Sequence, residues 1–149
     1  MKLGIIIIFN SFDCSTLKDQ LIETIKSLNE VCFCLVNNNS NEETDNYLNE
    51  ISHKCDNTNV INIKKSKSLN SAIRAGARFM INRHNLNQLG YINNSTNLKL
   101  IEVIKVFKSN QEEIIDLVVN EQNKKPIRQT LFQRLFPIKK YLIDLKVLV

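Results

Sequence analysis

Four apolar runs, each followed by a stretch with helical periodicity, constrain this chain more than any other feature of its 149 residues. Leu3 to Phe9 is continuously apolar, as in a strand buried on both faces. Residues 16–29 follow, with Leu17, Leu21, Ile22, Ile25 and Leu28 on one helical stripe. Val31 to Val36 is a second buried run, and Val60 to Ile63 is a third, shorter one. Between them, Ser40 with Glu43 three residues later reads as a capping box that opens a helix through Tyr47, Leu48 and Ile51. Residues 69–83 are helical in pattern. Asn70 and Ser71 serve as the caps, and Ala72 and Gly76, four apart, permit close packing on a sheet. Leu89 to Ile92 is the fourth strand, and residues 97–109 carry Ile101, Ile104 and Phe107 on one helical face.

This alternation predicts an α/β fold of three layers, α/β/α. The central sheet is mainly parallel, with right-handed crossovers and helices on both faces. In such sheets ligands bind at the carboxyl ends of the strands. The residues to weigh are therefore Asn10 to Asp13, Asn37 to Ser40, Lys64 to Asn70 and Asn93 to Asn97.

Beyond residue 110 the pattern weakens. Ile114 to Val119 reads as a fifth strand or a helix end, and residues 120–126 as a polar linker. The division is a domain over 1–120 and a basic amphipathic extension over 121–149, interrupted at Pro137. Three roles are open to the extension. It covers the edge of the sheet, it makes a dimer or partner contact through Phe132, Leu135 and Phe136, or it lies on an anionic membrane surface.

The net charge of +5 is concentrated in that extension, which holds seven Lys/Arg and one acid from residue 124 onward. A second asymmetry lies earlier. No acid occurs between Asp56 and Glu102, while Lys64, Lys65, Lys67, Arg74, Arg78, Arg83 and Lys99 do. An anionic partner such as a phosphate suits that stretch, and a solvated basic helix face is the plainer reading. Nucleic acid is not indicated, because neither a stacking pattern nor a binding motif accompanies the charge.

No apolar run approaches the ~20 residues of a membrane span. Leu3 to Phe9 has one preceding Lys and no small-residue cleavage site, which fits a first strand better than a signal peptide. The expected location is cytoplasmic, with peripheral contact at the inner membrane face as a further option. Cys14, Cys32, Cys34 and Cys55 do not have the spacing of a zinc or redox motif and read as reduced, mostly buried thiols. His53 and His84 fall near helix ends, where a structural role is expected.

The order of the strand ends resembles family 2 glycosyltransferases. Ile5-Ile6-Ile7-Ile8-Phe9-Asn10 is similar to that family's opening strand, which ends in a similar Asn. Cys34-Leu35-Val36-Asn37-Asn38-Asn39-Ser40-Asn41-Glu42-Glu43-Thr44 resembles its second-strand signature, a hydrophobic run into Asp-Asp-Gly-Ser-x-Asp-x-Thr or an Asp-Asn variant. Ala72-Ile73-Arg74-Ala75-Gly76 resembles the Ala-x-Asn-x-Gly helix, and Leu89-Gly90-Tyr91-Ile92 the strand that runs into Asp-x-Asp. The resemblance spans residues 3–109 and implies the nucleotide-sugar-binding half of a GT-A, Rossmann-like fold.

It also implies roles. A nucleotide or nucleotide sugar would be held by Asn10, Phe12, Asn38, Ser40, Lys65, Arg74 and Asn94, with Lys67 and Arg78 also available to a diphosphate. Two departures stand out. The acidic metal motif is replaced by Asn93-Asn94-Ser95-Thr96, so no divalent metal or other cofactor is expected. The chain also holds no recognisable carboxylate base in the position of the family's acceptor-binding half. The function implied is weak, metal-independent or partner-dependent sugar transfer, and the alternative is a catalytically inactive binding or scaffold module.

Overall fold

The structure is a computed structural model that describes residues 2–10, 18–39, 41–94, 97–125 and 129–148. Its elements run β1 (Leu3–Phe9), α1 (Lys18–Lys26), β2 (Cys32–Asn37), α2 (Glu42–Lys54), β3 (Thr58–Asn62), α3 (Leu69–Arg83) and β4 (Gln88–Asn94). They continue with α4 (Asn97–Ser109), α5 (Gln111–Asn123), a single 3-10 turn (Phe132–Arg134), β5 (Phe136–Pro137) and α6 (Ile138–Asp144).

The sheet has five strands in the order β3-β2-β1-β4-β5, and every pairing is parallel. This is a Rossmann-like α/β architecture. β1 lies in the middle, and all seven of its residues are buried. That is why its sequence is an unbroken apolar run rather than an alternating one. Side chains alternate between the two faces. Leu3, Ile5, Ile7 and Phe9 pack with α1, α2, α4, α5 and α6, whereas Ile6 and Ile8 pack under α3. The layers are thus unequal: five helices cover one face, and α3 with Leu131, Phe132 and Leu135 covers the other.

α3 spans the residues its periodicity predicted. Gly76 lets it approach the sheet, because a Cβ there would sit 2.8 Å from Ile6 Cγ2 and 3.2 Å from Val36 Cγ2. Both contacts are methyl groups of fully buried β-branched residues that have little room to yield. Alanine would gain about 1 kcal/mol of helix propensity. We expect overpacking to outweigh it, so that Gly76→Ala lowers stability by about 1–2 kcal/mol in urea unfolding.

Several local assignments differ from the sequence reading. The cap of α2 is Asn41, whose side chain accepts from the Glu43 backbone N–H at 2.8 Å. Ser40 lies outside the described residues. The cap of α3 is Ser68, whose hydroxyl accepts from Ser71 N–H at 3.2 Å, so Asn70 and Ser71 are already inside the helix. A cap must precede the first helical residue to reach the donors left free by the first turn.

Ile114 to Val119 is neither a strand nor a helix end but the middle of α5, where Ile114 and Val118, four apart, are buried. Residues 120–123 complete that helix instead of forming a linker. The fifth strand lies further on, inside the basic amphipathic extension, at Phe136–Pro137. Pro137 lacks an N–H, and a short edge strand tolerates that loss.

Residues 131–142 close the β4 side of the sheet. Phe136 is buried and meets Tyr141 edge to face, with ring centroids 5.8 Å apart. The Tyr141 hydroxyl donates to Glu121 of α5, and burial together with that carboxylate raises its pKa. Gln122 of α5 pairs with the buried Gln88 at 3.1 and 3.2 Å and donates to Arg134 O at 3.0 Å, which ties α5 and the 3-10 turn to β4. Among the described residues, no helix is long and apolar enough to cross a membrane.

Candidate functional site

The strand order changes direction between β1 and β4, so the crevice beyond their carboxyl ends is the switch point where such sheets bind ligands. Parity along the strands decides which side chains meet there. Asn10 continues the Ile6, Ile8 face of β1, Asn38 continues the Cys34, Val36 face of β2, and Asn93 shares a face of β4 with Leu89 and Tyr91. Three amides therefore stand in a row on the α3 side, just past the last buried aliphatics.

They are joined. Asn38 is buried, and its amide clamps the backbone of Lys67: Oδ1 accepts from Lys67 N–H at 3.0 Å, and Nδ2 donates to Lys67 O at 2.9 Å. Its other N–H goes to Asn10 Oδ1 at 2.9 Å, and Asn10 Nδ2 donates to Asn93 Oδ1 at 2.6 Å. The double contact with Lys67 fixes which end of Asn38 is nitrogen, and this sets the direction of the whole chain of bonds. The network starts at the β3–α3 loop, crosses β2 and β1, and ends at β4, where the side-chain N–H donors of Asn93 have no partner among the described residues. Asn38 itself has both donors in use and one acceptor lone pair to offer.

The neighbouring Asn37 to Asn41 segment is shaped by its own side chains. Asn37 Oδ1 accepts from Asn39 N–H at 3.2 Å, Asn39 Oδ1 accepts from Asn41 N–H at 2.9 Å, and Asn39 Nδ2 donates to Thr44 Oγ1 at 3.0 Å. This is turn chemistry characteristic of Asn.

The remaining candidates divide. Lys65 is exposed on the loop that Asn38 anchors, next to the equally exposed Lys67. Arg74 does not join the network, and its guanidinium lies 5.6 Å from the Phe132 ring centroid. Asn94 is buried on the opposite parity, with Phe9 as its register partner. Phe12 and Ser40 lie outside the described residues. Asn93, not Asn94, is the β4 residue of the row, and counting in twos from Leu89 would have selected it.

Among the described residues at the end of β4, Asn93 and Asn94 offer neutral amides, not the carboxylates that hold a divalent cation in the family the sequence resembles. Asn93 supplies a neutral amide oxygen that already accepts from Asn10. Among the described residues no group of three His, Cys, Asp or Glu converges. Two open grooves are present, but both lie toward the amino-terminal ends of the strands. One borders Leu3, Lys108 and the first turns of α5, and the other runs between α1 and the end of α4. Neither is lined by a residue of the amide row.

Cys32, Cys34 and Cys55 are free thiols, and burial pushes the Cys34 thiol up to about 12. His84 caps α3 through its backbone N–H to Met80 O, and its Nδ1 lies 3.8 Å from Cys32 Sγ. Burial, then Lys2 and Arg83, push its pKa below the ordinary value. The unfolded chain therefore binds this proton more readily than the folded one. Stability from this group is complete above about pH 6.5 and declines as pH falls toward the lower, folded value. Chemical denaturation at pH 7.5 and pH 5.5 is expected to show this loss in the native chain. His84→Gln is expected to show a smaller one.

The chain matches no family model, no curated protein and no solved structure.

Proposed function

We propose that the chain is a glycosyltransferase-like domain of GT-A type that binds a nucleotide or nucleotide sugar across the carboxyl ends of β4, β1 and β2 without a divalent cation. The observation that carries this reading is the direction of the amide network. Its free end is the pair of N–H donors on Asn93, and the loop it anchors presents Lys65 and Lys67. Donors and cations that pair with no carboxylate among the described residues suit a ligand rich in acceptors, as a diphosphate is. The crevice beside them is the switch point of a parallel sheet. Sugar transfer on this frame would be weak or would take its base from a partner chain, because among the described residues no carboxylate is bonded to the row.

A second reading is favoured by one feature. Asn38 uses both donors within the chain, so the second-strand loop is a structural clamp, as in a binding or scaffold module that does not catalyse. Thermal unfolding with uridine diphosphate and a panel of nucleotide sugars separates the two. Ligand-dependent stabilisation that Lys65→Glu with Lys67→Glu removes supports binding at this edge. No response to any nucleotide at millimolar concentration supports the scaffold.

A further inference from the structure

Two helices of this chain are each charged with a single sign. α3 carries Arg74, Arg78 and Arg83 and no acid, while α5 carries Glu112, Glu113, Asp116 and Glu121 and no base. Arg74, Arg78, Glu112 and Asp116 are all exposed, and none has an ion-pair partner among the described residues. Their spacing also matches. Arg74 and Arg78 are four apart on one helix, and Glu112 and Asp116 are four apart on the other, so each pair is separated by about 6 Å along its axis.

The acidic helix also has a concave setting, because Glu112, Glu113 and Asp116 line the open groove beside Leu3, with Lys108 as its one base. The Arg74 guanidinium lies 5.6 Å from the Phe132 ring centroid, a contact that lowers the entropy lost when it meets a partner. Helix-end electrostatics explain part of the pattern, since Glu112 and Glu113 stand in the first turn of α5 and Arg83 in the last turn of α3. They do not explain Arg74, Arg78 or Asp116.

We infer that a second copy of this chain docks its α3 arginines against the α5 acids of the first. α3 and α5 belong to opposite faces of the sheet, so the contact is head to tail rather than two-fold. Such a contact grows into rings or open chains instead of stopping at a symmetric dimer. It is electrostatic and therefore weak. It strengthens in low salt and fades as the screening length falls from about 30 Å at 0.01 M to about 3 Å at 1 M ionic strength.

Charge exchange tests this with the intact chain in sedimentation velocity. The native chain is expected to associate with rising concentration at low ionic strength and to return to monomer in 1 M salt. Arg74→Glu with Arg78→Glu places acid against acid, and Glu112→Lys with Asp116→Lys places base against base. Each double variant alone is expected to associate about a hundredfold more weakly or worse, because facing like charges cost several kcal/mol. In an equimolar mixture the α3 acids of one variant face the α5 lysines of the other, and the unaltered α5 acids and α3 arginines form the native pairing, so the mixture is expected to associate again. Recovery in the mixture also shows that both variants are folded. A native chain that stays monomeric at every concentration in low salt overturns the inference and leaves the α3 arginines to an anionic ligand. Association that survives either double variant, or that the mixture fails to recover, overturns it as well.

Discussion

Phe107→Ala is expected to lower the free energy of unfolding by about 3–5 kcal/mol, the largest loss from any single replacement considered. Phe107 is fully buried on α4, in the layer where α4 meets α1, α6 and β4. Its ring belongs to a cluster that also holds the fully buried Leu21, Ile25 and Ile104, and so close-packed a layer has little freedom to collapse into the space the ring leaves. Truncation removes the transfer free energy of the ring and leaves a cavity. Domains of this size hold only about 5–15 kcal/mol in total, so about a fifth or more of the stability is at risk. At about 2–4 °C per kcal/mol, the midpoint of thermal unfolding drops by roughly 10 °C. Val106, next in the chain but half-buried, is the control, and Val106→Ala is expected to cost about 1 kcal/mol or less. Urea unfolding with unchanged denaturant dependence would confirm that the fold itself is preserved.

Asn38→Ala is expected to cost about 2–3 kcal/mol, a large effect for a polar side chain at a strand end. The residue is 3% exposed and makes three side-chain hydrogen bonds within 3.0 Å. Removing it strands the N–H and C=O of Lys67 together with Asn10 Oδ1. It also unties the β3–α3 loop from the sheet, so Lys65 and Lys67 lose their fixed position. Backbone amide exchange in residues 64–68 should accelerate with the loss of stability. Asn38→Asp is the informative companion because it restores the residue type of the resembling family. An aspartate there still accepts from Lys67 N–H but turns a carboxylate toward Lys67 O, where the native amide donates. Burial raises the pKa of such a group, so the variant is least stable near neutral pH and regains stability as pH falls and the carboxyl protonates. A variant as stable as the native chain at pH 7 would show that the clamp contributes little.

The sheet was legible because its central strand is buried on both faces. Ile5 to Phe9 must be apolar at every position, and a run so short and so uniform has few other uses. α3 was legible to the residue, since Ala72, Ile73, Ala77 and Met80 repeat at helical spacing between Ser68 and His84. The carboxyl-end amides were half legible. Asn10 and Asn38 follow their strands directly, and period two selects Asn93 over Asn94. Nothing in the sequence announces that Asn38 is held by the backbone of Lys67, 29 residues away, because a backbone partner carries no residue signature. The tail was the least legible part. β5 is two residues long and exists only because β4 offers an edge, so Phe136 and Pro137 show no period of their own. The caps were misread by one to three residues because Asn and Ser crowd both loops and several could reach a free N–H.

The most direct measurement is calorimetric titration of the native chain with uridine diphosphate, in chelator and then in manganese. A site made of amide donors and lysines at the carboxyl edge predicts binding in chelator that manganese does not strengthen. That binding should be lost in Lys65→Glu with Lys67→Glu, whose fold is intact. Binding that appears only with manganese, or that survives the double reversal, would contradict a cation-free nucleotide site at this edge.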